Sequence, residues 1–67
     1  MLKLIGSPSC GSCVLAQKLL NRHGIRYQYV DVSNQPFEGI IPQLILPSGE
    51  KLIGLGPINK AIRERKI

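Results

Sequence analysis

The apolar run Leu2-Lys3-Leu4-Ile5-Gly6 stops at Ser7-Pro8-Ser9, and Cys10-Gly11-Ser12-Cys13 follows where a helical pattern begins. No other stretch constrains the fold as much. A short apolar run closed by Gly and Pro reads as a buried strand. From Ser12 to His23 the residues repeat at helical spacing: Leu15 with Leu19, Ala16 with Leu20, and Gln17, Lys18, Asn21 and Arg22 on the other side. Gly24 is the residue expected just past the helix end, and Arg22 and His23 suit its negative terminus. The cysteines thus sit where the loop after a strand turns into a helix. Residues i and i+3 share one face of a helical turn, so the two sulfurs can meet.

The rest of the chain completes an α/β pattern. Ile25 to Val32 alternates Ile25, Tyr27 and Tyr29 with Arg26, Gln28 and Val30, and reads as a strand with half-buried tyrosines. Ser33 to Ile40 holds Asn34, Pro36 and Gly39 and reads as a loop with at most one helical turn. Pro42 introduces a strand over Gln43 to Leu46; Pro47-Ser48-Gly49-Glu50 is a hairpin turn, and Lys51 to Ile53 returns. Gly54-Leu55-Gly56 is a tight connection, and Pro57 opens a last helix with Ile58, Ala61 and Ile62 as its apolar stripe. The order is β-α-β, then a β-hairpin, then α. The β-α-β unit predicts parallel strands in a right-handed crossover, and the hairpin adds two antiparallel strands to give a four-stranded mixed sheet. Residues 1–67 make one domain with no linker and no repeat.

Composition narrows the function. A chain this small buries only about 60% of the surface its unfolded form exposes. Two cysteines exclude a multi-bridge scaffold. Tyr27, Tyr29 and Phe37 are the only aromatics, too few for a base-stacking platform. The net charge of +5 favours acidic partners, although solubility is its plainer reading. Arg63, Arg65 and Lys66 form a basic cluster on the last helix, but no nucleic-acid partner is expected. No stretch approaches the ~20 apolar residues of a membrane span, and Met1 to Gly6 is too short for a signal-peptide core. These features predict a cytoplasmic monomer in a reducing compartment, where two close cysteines point to catalysis or metal binding.

The placement of Cys10 and Cys13 favours catalysis. The free N–H groups and positive end of a helix stabilise an anion. Thiolates at such sites have pKa values of about 3.5 to 7.5, against about 8.5 for a free thiol. Cys10, at the helix start, is expected to be the exposed nucleophile, and Cys13, one turn in, the buried partner. Cys10 attacks a substrate disulfide; Cys13 then closes on Cys10 and releases reduced substrate. The rival reading is metal. Zinc takes four ligands, and His23 lies ten residues beyond Cys13, about 15 Å along the helix. A structural zinc within one chain does not fit, so no metal residue is assigned; a dimer sharing a metal through four cysteines is the alternative. At Ile41-Pro42-Gln43 the residues alone read as a trans proline that begins a strand.

Taken together, Ser7-Pro8-Ser9-Cys10-Gly11-Ser12-Cys13 at a helix start, the strand ending Val30-Asp31-Val32, Ile41-Pro42-Gln43 before a hairpin and the pair Gly54 and Gly56 before a last helix resemble a glutaredoxin. The resemblance spans essentially the whole chain and implies a minimal thioredoxin fold with sheet order second, first, third, fourth strand. It implies that Cys10 is the nucleophile and Cys13 the resolving thiol. It further implies that Pro42 is cis and faces them, and that the Ile41 backbone pairs with substrate as an added strand. Ser9, Gly11 and Ser12, around the thiols, complete the expected substrate-binding set with Ile41 and Pro42. No bound cofactor is expected. The implied reductant is glutathione or a thioredoxin-reductase system, and the implied client a disulfide protein such as ribonucleotide reductase.

The sequence departs from the family pattern in three places. Ser33 to Ile40 is only eight residues, too short for the family's middle helix with its loops. The sheet face it leaves is expected to be bare or covered by Phe37 and Ile40 alone, with Phe37 packing inward. Gly11-Ser12 stands where the family usually has Pro-Tyr, and Gly54-Leu55-Gly56-Pro57 replaces its acidic residues. The similarity to thioredoxin proper is lower: Leu4 occupies the position of its buried Asp.

Overall fold

The computed structural model describes residues 1–67. The elements run β1 (Leu2–Gly6), α1 (Gly11–Arg22), β2 (Tyr27–Asp31), β3 (Gln43–Ile45), β4 (Lys51–Ile53) and α2 (Leu55–Arg63). They build a four-stranded sheet in the order β2-β1-β3-β4. β1 and β2 are parallel, with Leu2 opposite Tyr27 and Gly6 opposite Asp31. β3 is antiparallel to both β1 and β4, so Gln43 faces Ile5 on one side and Ile53 on the other. The mixed sheet follows the reading of the sequence and its strand order the family resemblance; the middle helix, expected to be shortened to about one turn, is absent.

Both helices cover the same sheet face. Side chains alternate along a strand, which brings Leu2, Leu4, Leu44 and Leu52 together with Tyr27 and Tyr29 against Ala16, Leu20, Ile58 and Ile62 of the helices. Leu4, Leu20, Leu44 and Ile58 are fully buried, each worth about 1.5–3 kcal/mol over an exposed side chain. In α2 the buried stripe is Ile58, Ala61 and Ile62, as expected. In α1 it is Cys13, Ala16 and Leu20, and Leu15 is 50% exposed. Pointing Cys13 inward fixes the rotation of α1, and Leu15, two residues on, falls on the opposite side at 3.6 residues per turn.

Both helices end in a Schellman motif. After α1, the Gly24 and Ile25 amides donate to Asn21 O at 3.1 Å and Leu20 O at 2.9 Å, with Gly24 left-handed at φ +68°. His23 closes the turn, its Nδ1 hydrogen-bonded to Leu19 O at 2.9 Å. After α2, the Arg65 and Lys66 amides donate to Ile62 O at 3.1 Å and Ala61 O at 2.9 Å, and Arg65 takes the left-handed conformation at φ 56°. α2 starts at Leu55, earlier than expected, and Pro57 falls in its first turn. The N–H groups of a first turn have no partner within the helix, so proline is tolerated there.

The segment from 32 to 42 contains no helix. Phe37 is half-buried and lies outside the core cluster under the helices, on the side where it is expected to turn inward over the sheet face left by the missing helix. Its ring lies beside Gly39, where an added Cβ would stand 3.2 Å from Phe37 Cε2 and 3.9 Å from Gln43 Nε2. Gln43 alternates away from Leu44 and the helices, so Phe37 covers the outer sheet face locally at Gln43. Ile40 is 65% exposed and covers nothing of note.

Candidate active site

β1 ends at Gly6, and Ser7 and Ser9 tie the loop after it down with their own polar groups. Ser7 is buried; its hydroxyl lies 3.0 Å from the Ser9 hydroxyl and accepts the Ser9 amide at 3.3 Å. The Cys10 amide donates to Ser7 O at 3.1 Å. Cys10 thereby becomes the N-cap of α1, with extended backbone at φ −96°, ψ 112°. Its sulfur accepts the Cys13 amide at 3.2 Å, the role a Ser or Asp oxygen commonly plays at a helix start. Cys10 is half-buried and Cys13 fully buried, both as free thiols. Ser9, Gly11 and Ser12 are exposed around them.

The two sulfurs occupy different electrostatic sites. Burial is the main reason the Cys13 thiol is pushed up from 9.0 to about 11, helped by its hydrogen bond with Cys10 and the Cys10 charge; the Ser7 backbone N–H pulls the other way. Cys13 therefore remains a neutral thiol at physiological pH. Cys10 faces the amide end of α1, where the helix field favours negative charge. Tyr29 flanks the pair: burial raises its hydroxyl pKa, and the charges of Asp31, Cys13 and Cys10 raise it further.

Pro42 approaches from the neighbouring strand. The Ile41–Pro42 bond is cis, against the trans reading of the residues alone and as the family resemblance implies. β1 and β3 pair Leu4 with Leu44 and Ile5 with Gln43. Continuing that register sets Pro42 opposite Gly6 and Ile41 opposite Ser7. Pro42 is buried, and its carbonyl accepts the Gly54 amide at 2.8 Å. Ile41 takes no part in the intrachain backbone hydrogen bonds, so its N–H and C=O are open to another strand.

Two site residues escaped the sequence reading. Gly6 packs directly against Cys13, and the buried Ser7 anchors the loop that delivers Cys10. A glycine inside a strand pattern marks close backbone approach, and Gly6 four residues before Cys10 carried that signal. His23 stands at the far end of α1, in a capping role. An open depression of about 130 Å³ lined by Glu50, Leu52, Pro57, Lys60, Ala61, Glu64 and Lys66 shares no residue with the thiol site. No helix is long and apolar enough to cross a membrane.

Comparison with known proteins agrees with this geometry. Among solved structures, a buckwheat glutaredoxin–glutathione complex superposes with a TM-score of 0.78, covering 97% of this chain and 70% of that chain at 19% identity. The fold is therefore thioredoxin-like. Comparison with curated proteins gives no match. The family model Glutaredoxin matches residues 2–46, from β1 through β3, with Cys10, Cys13, Ile41 and Pro42 inside the match. With more than half of its length covered in this way, the chain belongs to the glutaredoxin family of thiol–disulfide oxidoreductases.

Proposed function

We propose that this protein reduces protein disulfides by dithiol exchange through Cys10 and Cys13. The observation that carries the reading is the Cys10 sulfur at the N-cap of α1, accepting the Cys13 amide at 3.2 Å, with the Cys13 thiol buried one turn behind. Cys10 thiolate attacks one substrate sulfur and the other leaves as a thiolate. The charge on Cys10 is then gone, and with it part of what holds Cys13 protonated. Cys13 loses its proton to solvent, attacks the Cys10 sulfur, and expels the substrate's second thiolate. Two electrons have passed to the substrate, and the Cys10–Cys13 disulfide remains. The free Ile41 backbone serves as a docking strand for substrate, beside Pro42, with Ser9, Gly11 and Ser12 lining the approach to Cys10.

Glutathione is the proposed reductant, two molecules returning the disulfide to the dithiol. Support comes from the buckwheat relative, described as a glutathione complex, and from the net charge of +5, which suits an anionic tripeptide. Ribonucleotide reductase is the proposed client and the reducing cytoplasm the proposed location, with the protein acting as a monomer. The test supplies insulin as substrate with NADPH and either glutathione plus its reductase or thioredoxin reductase. Sustained insulin reduction is expected with glutathione. Turnover with thioredoxin reductase alone reassigns the reductant, and turnover with neither contradicts the proposal.

A further inference from the structure

The backbone of β1 touches the resolving thiol. A Cβ built on Gly6 would lie 3.0 Å from both Cβ and Sγ of Cys13 and 3.5 Å from Tyr29 Cε1. Ordinary van der Waals contact begins at 3.4 Å, so any side chain at position 6 must displace Cys13 by a few tenths of an ångström. The surroundings leave little room to yield. Cys13 sits in the first turn of α1, whose Cys10 and Val14 amides are bonded to Ser7 O and Cys10 O at 3.1 Å each. Gly6 does not need glycine for its backbone conformation, since it is absent from the left-handed positions of the chain. What position 6 needs is the absence of a side chain.

We propose that Gly6 is a positioning residue that seats Cys13 for attack on the Cys10 mixed disulfide. This rests on the dithiol reading above and deepens it. Glycine lets the Cys13 sulfur lie flat on β1, with the Tyr29 ring beyond it, at the height from which it reaches Cys10. A side chain at position 6 lifts Cys13 off that seat while leaving Cys10, one turn nearer solvent, in place. The first chemical step is then preserved and the second slowed.

Reaction of the reduced protein with bis(nitrothiobenzoate) disulfide separates the steps. Attack by Cys10 expels one coloured thiolate and leaves the aryl mixed disulfide on Cys10. Attack by Cys13 on the Cys10 sulfur expels the second and leaves the Cys10–Cys13 bridge. Stopped-flow absorbance follows both. In Gly6→Ala the first phase is expected within about twofold of wild type and the second about tenfold slower, since a 1 Å misplacement can cost about 10²-fold. Gly56→Ala, where an added Cβ meets nothing within 4 Å, is the matched control and should change neither phase. A Gly6→Ala second phase as fast as wild type, or both phases slowed alike, overturns the proposal. A wild type that releases no second thiolate instead removes the dithiol reading beneath it. Should Gly6→Ala fold poorly, the Cys13→Gly background decides, because both crowded atoms are gone there. Gly6→Ala is expected to leave the urea midpoint of that background unchanged, and an undiminished loss of midpoint overturns the proposal.

Discussion

The amide of Cys13 donates to the sulfur of Cys10 at 3.2 Å, so the two cysteines are joined at the first turn of α1. The N-cap position turns a backbone requirement into a chemical one. An uncapped first turn leaves donors without partners, and here the acceptor is the sulfur of the proposed nucleophile. Burial, with the side-chain hydrogen bond to Cys10 and the Cys10 charge, raises the Cys13 thiol, so on the proposed mechanism Cys13 holds its proton until Cys10 has reacted. This sets the order of the two proposed steps, with solvent taking the Cys13 proton.

Burial of Cys13 makes the stability of the reduced protein pH-dependent. Its thiol rises from 9.0 to about 11 on folding, so the folded state binds the proton more tightly than the unfolded state. The associated stability is complete below pH 9.0 and is lost as pH rises through about 11, by up to about 3 kcal/mol. Urea unfolding across that range is expected to show the decline in wild type. Cys13→Ala and the oxidised protein should lack it. Equal slopes in all three would refute the assignment.

The two helix ends give substitutions of opposite sign. At Gly24, φ is +68° and an added Cβ meets nothing within 4 Å, so Gly24→Ala costs backbone strain alone, about 1 kcal/mol. At Arg65, φ is 56° in the same motif, so Arg65→Gly should gain up to about 1 kcal/mol. Thermal or urea unfolding checks both, and insulin reduction should be unaffected in either.

Phe37 and Leu4 separate the covered face from the core. Leu4 is fully buried within the cluster under both helices, and Leu4→Ala should cost about 2–5 kcal/mol, enough to unfold much of a domain this small. Phe37 is half-buried beside Gly39 and outside the core cluster, and Phe37→Ala should cost about 1 kcal/mol. A Phe37→Ala loss as large as that of Leu4→Ala would place Phe37 in the core after all.

Much of this architecture was legible because local chemistry and tertiary packing agree. Gly24 closes α1, the Pro47 to Glu50 turn joins β3 to β4, and Ile58, Ala61 and Ile62 form the buried stripe of α2. The Cys10–Cys13 pair was legible from its place between a strand and a helix. Leu15 was misjudged because Leu15/Leu19 and Ala16/Leu20 both fit a helical period, and only the inward turn of Cys13 chooses between them. Ile40 differs from the expectation that it shares the cover of the outer sheet face with Phe37: it is 65% exposed, because a loop of eight residues turns only one of its two apolar side chains inward. Gly6 was passed over as the end of a strand; its role appears only when α1 folds back across β1 and sets Cys13 upon it.

Intact-mass analysis of the arrested intermediate shows which sulfur attacks first. Reduced Cys13→Ser is mixed with a disulfide-linked peptide, and the product is digested to locate the adduct. A stable mixed disulfide is expected at Cys10 in Cys13→Ser, none in Cys10→Ser, and an intramolecular bridge with free peptide thiol in wild type. An adduct on Cys13 in the Cys10→Ser protein, or none on Cys10 in Cys13→Ser, would contradict the proposed order of attack.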